Sequence, residues 1–301
     1  MARTIGVDVG GTKVSVAVLE GNRLSEPVVR PTVLSSSNGL VDQLAGLIRE
    51  AGPADAVGIG IPSVVDFATG TARASVNVPL QDVPLRRLLT DRLRTPVFVD
   101  NDATVAALAE AHDDELGIAA HSLVLFTIGT GVGGGIVIGG RIYRGATGAA
   151  AEVGHQIIGA DLAAGAPEAA DHFPQPGSLE ALASGRALDA LGRERGFARG
   201  PDVVAAAHDG DPRALEAVEI LGSRLGVGIA NAINVFEPEQ VVIGGGVSAA
   251  GELLLETAKR AAARYVLPGV GTRTEIRLAR YGPRAGVRGA ALLAGQEVGQ
   301  T

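Results

Sequence analysis

The chain contains no cysteine. Disulfide bonds and thiolate metal sites are therefore excluded, and the composition fits a reducing cytoplasm. Tryptophan is absent and aromatic residues make up only 3% of the chain. No uninterrupted apolar run approaches the ~18 residues of a helical membrane span. The N-terminus opens directly on a strand pattern, so neither a membrane anchor nor a signal peptide is expected. Lys and Arg form no block and the net charge is −7, which argues against a nucleic-acid partner. A chain of 301 residues can bury a large core and is expected to divide into two domains.

Glycine, by contrast, is abundant. There are 43, many inside apolar segments, where each costs roughly 1 kcal/mol against alanine in a helix, so some must serve close backbone approach. Two glycine-rich turns are the most informative: Asp8-Val9-Gly10-Gly11-Thr12-Lys13 and Gly129-Thr130-Gly131-Val132-Gly133-Gly134-Gly135. Each lies between apolar, β-branched runs, giving strand, turn, strand twice over. Glycine lets backbone N–H groups converge with no Cβ in the way, which makes an anion cradle. Two cradles on a duplicated scaffold suggest a grip on polyphosphate by two lobes. Neither turn is a better-known motif. In the first, Thr12 separates the second glycine from Lys13 and a strand follows, unlike a P-loop; the second fits G-x-G-x-x-G but leads into a strand, where a dinucleotide fingerprint opens a helix.

Elsewhere strands alternate with helices, an α/β pattern. Strands are expected near 3–9, 13–20, 27–33, 55–61, 96–100, 240–243 and 274–279. Helices are expected near 38–51, 85–94, 103–114, 178–195, 213–236, 250–265 and 286–296. In 213–236, Val218, Leu221, Leu225, Ile229 and Ile233 recur at helical spacing. Residues 159–177, rich in Ala, Gly and Pro, read as an irregular loop. The charged and then small segment Ala111–Ala120 suggests a lobe boundary.

Asp8 ends the first strand beside its glycine turn, as a turn cap or as a Mg²⁺ partner acting through water. Thr12 and Lys13 are placed to meet a phosphate, although Lys13 is equally well explained as an exposed strand residue. Val99-Asp100-Asn101-Asp102 ends a strand and opens a helix, so Asn101 and the acids are either helix caps or ligand groups in an α/β crevice. A carboxylate there can accept the proton of an attacking hydroxyl. Glu152 and His155 share a face if the segment is helical, as a metal pair, a solvated pair or a polar-ligand pair. Gly244-Gly245-Gly246 is either a strand–helix turn or a point of close nucleotide approach.

Together these residues resemble the ROK family (repressor, open reading frame, kinase), whose enzymes are mostly sugar kinases, and the resemblance runs nearly end to end. The first turn is similar to the D-x-G-G-T-K phosphate motif. Gly60-Ile61-Pro62-Ser63-Val64-Val65-Asp66 is similar to G-x-P-G-x-x-D, with Ser63 where glycine is usual. Asn77-Val78-Pro79 resembles the N-[LV]-P sugar loop, Asn101-Asp102 the N-D-A pair, Thr127 to Gly135 the second phosphate loop, and Glu152-Val153-Gly154-His155 the E-x-G-H motif. Ser178 to Gly185 resembles C-L-E-x-x-x-S-G with the cysteine gone, and Pro238 to Gly246 the P-x-x-[IV]-x-x-G-G-G stretch.

The resemblance implies an actin-like, ribonuclease-H-like two-lobed fold. Its smaller lobe would comprise residues 1–114, completed by a C-terminal helix over 285–301, and its larger lobe 115–284. It implies ATP and Mg²⁺, Asp102 as general base on a sugar 6-hydroxyl, and Asn77, Asn101, Glu152, His155 and Glu180 holding the other hydroxyls. Gly10, Gly11, Thr12, Lys13, Thr130 and Gly131 would line the phosphates, Asp8 would face Mg²⁺, and Gly245 and Gly246 would lie by the adenosine. An Asp at its ordinary pKa of about 3.9 would suffice as base, with lobe closure excluding water. The family's zinc-binding C-x-C-G-x-x-G-C aligns with Asp171-His172-Phe173-Pro174-Gln175-Pro176-Gly177-Ser178, which has no cysteine. No structural zinc is expected, and packing, prolines or a subunit contact would hold the loop. Ser63 would shape the pocket near the sugar 2-substituent.

The leading expectation is a cytoplasmic, homodimeric hexose kinase, by default for glucose. Fructose, mannose, allose and N-acetylhexosamines are alternative sugars, and polyphosphate an alternative donor. A non-catalytic sugar-binding regulator is the competing class. Family repressors carry an added N-terminal helix-turn-helix, whereas here the first strand begins almost at once.

Overall fold

The structure is a computed structural model that describes residues 2–75 and 77–299. It forms two compact units. One comprises Met1–His121, Gly135–Ala151 and Arg280–Thr301, the other Ser122–Gly134 and Glu152–Ala279. The first therefore takes in residues 115–121 and the excursion 135–151, beyond the 114/115 boundary read from composition. Residues 300 and 301 of the expected last helix lie outside the described residues.

The first unit is built on a sheet ordered Arg23–Leu24, Lys13–Glu20, Thr4–Val9, Ala56–Ile61, Val97–Asn101, with Val28–Pro31 also pairing onto Lys13–Glu20. Thr4–Val9 runs antiparallel to Lys13–Glu20 and parallel to Ala56–Ile61, which is parallel to Val97–Asn101. Ala56–Ile61 is buried along its whole length, as its unbroken run of small and apolar residues requires of a strand covered on both faces. One cover is the helix Ser37–Glu50, started by the Ser36 side chain accepting the Gly39 N–H. Its Leu40, Val41, Leu44, Leu47 and Ile48 join Ile5, Val7, Val57 and Ile59 in one core, the helical period meeting the strand period.

Another cover is the last helix, Ala285–Val298. It approaches so closely that a Cβ on Gly6 would collide with the Val287 carbonyl and one on Gly58 with the Ala290 carbonyl. On the helix's own side, a Cβ on Gly289 would strike the Val105 carbonyl in the helix Asp102–Glu110. These glycines serve backbone-to-backbone packing.

In the second unit Ser122–Ile128, Gln240–Gly244 and Glu275–Leu278 are parallel neighbours. The helix Pro212–Phe236 buries the expected stripe, including Leu221, Leu225, Ile229 and Ile233. The helix expected over 178–195 is two, Leu179–Ala183 and Gly185–Glu194, separated by Ser184, which caps the second. A helix at Gly200–His208 and a hairpin of Ser63–Asp66 with Thr71–Ser75 had no clear periodic signal. The C-terminal part of the expected helix 103–114 is absent, since Asp102–Glu110 ends at Ala111.

Candidate active site

In the first unit the sheet register assembles an acidic site. Asp8 is paired with Gly60, and Gly60 with Asp100, across three parallel strands. Gly60 lets the helix Asp102–Glu110 pack close on its strand, since a Cβ there would lie 2.7 Å from Val105 Cγ2 and 3.3 Å from the Asp102 Cα. The Asp8 carboxyl lies against the first turn of the last helix, where a Cβ on Gly286 would come within 2.6 Å of its Cγ. Burial first, then the charge of Asp102, push the Asp8 carboxyl up to about 6, with Lys13 pulling the other way. Burial also raises Asp102, and the Ala103 N–H draws it back. The expectation of an untuned base is thus corrected: water is largely withdrawn from this carboxyl, which favours its neutral form.

The first glycine turn closes through the Gly10 N–H donating to the Lys13 carbonyl at 2.9 Å, and Thr32 donates its hydroxyl to the Gly10 carbonyl at 2.7 Å. Thr12 and Lys13 are exposed. Gly11 abuts Asn77, whose Cβ and carbonyl lie 3.0 and 3.2 Å from where a glycine Cβ would stand. The structure thus brings Asn77 to the phosphate-type turn.

The motif 99–102 divides into three roles. Asn101 caps the helix, its Oδ1 accepting from the Ala103 and Thr104 N–H groups at 2.9 and 3.1 Å, while its Nδ2 donates to the Ser63 carbonyl at 3.3 Å. Asp102 is the first residue of that helix, and its Oδ1 accepts the Ala103 N–H at 2.8 Å. Asp100 turns inward. It is buried, accepts the Arg144 Nε–H at 2.7 Å and the Asn101 N–H at 2.9 Å, and so fixes the backbone on which Asn101 and Asp102 sit. Arg144 also stacks over the Phe67 ring at 3.4 Å. Its role had no local signal, because the pair joins residues far apart in sequence. Ser63, which stands where the family pattern has glycine, keeps its hydroxyl within the protein. The hydroxyl is buried and donates to the Ala74 carbonyl at 2.8 Å, and the carbonyl of Ser63 meets Asn101.

In the second unit the other glycine turn is the centre. Gly129 donates its N–H to the Gly131 carbonyl at 2.9 Å, and Gly185, opening a helix, donates to the Gly129 carbonyl at 2.7 Å. Glu180 Oε2 accepts the Val132 N–H at 2.7 Å and stands directly over Gly131, so that a Cβ there would displace the Glu180 carboxylate. A Cβ on Gly154 would collide with the Val132 carbonyl, so the Glu152–His155 segment packs on the same turn. Val153–His155 is a single 3-10 turn that brings His155 Nε2 to 3.8 Å from Glu152 Oε2, both side chains solvent-accessible. Gly245, at φ +87°, lies against the Ile128 backbone, and Gly246 faces open space. Thr130, Gly131, Glu152, His155, Glu180 and Gly245 therefore gather at the end of one strand. Ser184 and Gly185, the S-G of the C-L-E-x-x-x-S-G resemblance, were given no role from sequence; here Gly185 bonds the Gly129 carbonyl and Ser184 caps the helix that follows.

A family model described as "ROK family" matches residues 4–297. The chain belongs to the ROK family. Among relatives of this ROK protein, a glucokinase of Halalkalibacterium halodurans is 34% identical over 97% of the chain and 95% of its own length. An N-acetyl-D-glucosamine kinase of Escherichia coli O127:H6 is 35% identical over 96% of the chain and 98% of its own. A ROK glucokinase from Streptomyces griseus, solved in complex with glucose and AMPPNP, superposes with a TM-score of 0.79 at 31% identity, covering 98% of this chain and 99% of that one. The fold is the actin-like ATPase fold of the ROK sugar kinases.

The residues aligned with the ROK zinc motif do not fit that metal. Among the described residues, no group of three or more His, Cys, Asp or Glu side chains comes together to hold a metal ion. Ser178, where a cysteine is usual, is fully buried and caps a helix by accepting the Ala181 N–H at 3.2 Å. His172 is exposed and turned toward its neighbour Asp171, 3.1 Å away.

Proposed function

We propose that this protein is an ATP-dependent hexose kinase that phosphorylates the 6-hydroxyl of glucose, with Asp102 as general base. The observation that carries the reading is the acidic site of the first unit. Two carboxyls, Asp8 near the end of one strand and Asp102 opening the helix that follows another, stand near Gly60, both held above the ordinary carboxylate range. A carboxylate with a raised pKa is a stronger base for a hydroxyl proton, and such a base contributes about 10²–10⁴-fold to rate. As the sugar O6 bonds to the γ-phosphorus and the bond to the β-phosphate bridging oxygen breaks, the O6 proton passes to the Asp102 carboxylate and ADP leaves.

In the first unit Asn77 and Asn101 would bind sugar hydroxyls, Asn101 with its Nδ2 hydrogens because its Oδ1 is committed to the helix cap. Gly10, Gly11, Thr12 and Lys13 would meet phosphate oxygens. Asp8 would face the magnesium that accompanies ATP. It suits a cation because its charge is disfavoured by burial and, among the described residues, no hydrogen bond relieves it. When bound, the metal would neutralise phosphate charge. In the second unit Glu152, His155 and Glu180 would hold the remaining hydroxyls, Thr130 and Gly131 the phosphates, and Gly245 and Gly246 the adenosine. A cytoplasmic homodimer remains part of this reading.

Glucose is favoured because a ROK glucokinase at 34% identity covers nearly the whole chain, although the N-acetylglucosamine kinase is equally similar. The test is kcat/KM with Mg-ATP for glucose, N-acetylglucosamine, mannose, fructose and allose, read by ADP release. Glucose is expected to lead. A lead by N-acetylglucosamine would overturn the sugar assignment, and no turnover on any sugar would overturn the kinase reading.

A further inference from the structure

The segment that lacks the zinc ligands is nevertheless ordered around one side chain. Gln175 accepts the Ala170 N–H on Oε1 at 2.8 Å and donates from Nε2 to the Ala170 carbonyl at 2.8 Å and the His172 carbonyl at 3.0 Å. Its amide thus uses one acceptor and two donors on the backbone of the same loop, a near-complete satisfaction of its capacity. The loop's base is closed separately. Ile158 and Gly159 donate their N–H groups to the Gly177 carbonyl at 2.9 and 3.1 Å, and Leu179 donates to the Gln156 carbonyl at 2.9 Å. Phe173 lies within the clamped stretch. The residue is 74% exposed, an unusual placement for a large apolar side chain, and its ring meets the His155 ring edge to face at 5.5 Å.

We propose that Gln175 clamps the segment 170–175 and, through Phe173, positions the His155 imidazole for the sugar. The geometry favours this over a purely local role. The clamp fixes residues 170–172 against 175, so Phe173 is held inside a closed ring of hydrogen bonds. An edge-to-face contact then favours one orientation of the imidazole, whose Nε2 lies 3.8 Å from Glu152 Oε2. Gln175 and Phe173 are positioning residues; neither is assigned a contact with substrate.

The kinetic arm of the test rests on the sugar-kinase reading, and the spectroscopic arm does not. In ligand-free protein the His155 imidazole proton resonances, assigned by loss in His155→Ala, are expected to move in Phe173→Leu and in Gln175→Leu, and to stay put on adding zinc or a chelator. In turnover, both variants should raise the KM for sugar about tenfold, with kcat and the KM for ATP within about twofold. Phe173→Tyr, which keeps the ring, should restore the wild-type values. Unmoved His155 resonances in Phe173→Leu would overturn the proposal, as would a response to zinc. Phe173→Leu changes an exposed side chain, so the test stands even if Gln175→Leu does not fold. If no sugar is turned over but the resonances move as stated, the kinase reading falls and the clamp stands.

Discussion

Replacing Asp8 with Asn exchanges a carboxylate for a neutral amide of nearly the same shape, at a position where the folded protein resists charge. In the unfolded chain Asp8 ionises near 3.8, and in the fold near 6. The folded state therefore binds this proton more tightly, and ionisation favours unfolding. The sign follows: the associated stability is fully present below the unfolded value and is lost as pH rises through the folded one. Integrating the linkage between those two values gives a cost of about 3 kcal/mol at pH 7, roughly half of that at pH 5 and under about 1 kcal/mol at pH 4. Asp8 receives no hydrogen bond from the protein among the described residues, so the amide forfeits none. Asp8→Asn should thus be more stable than the wild type at pH 7, by 1–3 kcal/mol in round terms (roughly, once imperfect amide packing is allowed for), with the gain shrinking to a few tenths near pH 4. The assay is urea unfolding of ligand-free protein at fixed ionic strength across pH 4–7. A variant less stable than wild type at pH 7, or a difference independent of pH, would refute the reasoning. The same variant should lose most kinase activity, a stabilising substitution at a site that function keeps charged.

Two further substitutions test the scaffold. Gly58→Ala places a Cβ against the Ala290 backbone carbonyl, where no side chain can swing aside, and should cost about 3 kcal/mol or more, read as a fall in the urea midpoint; a change under about 0.5 kcal/mol would show that the last helix is not packed as described. Arg144→Leu leaves Asp100 buried without its partner and should destabilise the protein by about 3 kcal/mol at pH 7. Adding Asp100→Asn should recover much of that loss, and a strictly additive double mutant would contradict the pairing.

The sequence reading captured what local chemistry encodes. The strand–turn–strand glycine loops, the Asn101 cap and the stripe of Pro212–Phe236 are each written in neighbouring residues, so period and composition suffice to find them. It missed what depends on partners distant in the chain. Nothing near Asp100 announces Arg144, and nothing in a loop of Ala, Gly and Pro announces that Gln175 will bond its own backbone three times. The raised pKa of Asp8 was likewise hidden, since its carboxyl lies against Gly286 of the last helix, far away in sequence. Glycine was the informative ambiguity. Its excess signalled close approach, but only the packing separates Gly11, beside Asn77 at a phosphate-type turn, from Gly58, under a helix.

The most direct test of the central claim compares the wild type with Asp102→Asn for glucose-dependent ADP release, alongside glucose binding by calorimetry. The account predicts that kcat falls at least about 10²-fold while the affinity for glucose changes little, because Asn keeps the position and polarity of Asp102 but cannot take the O6 proton. Turnover within a few-fold of wild type would contradict Asp102 as the base.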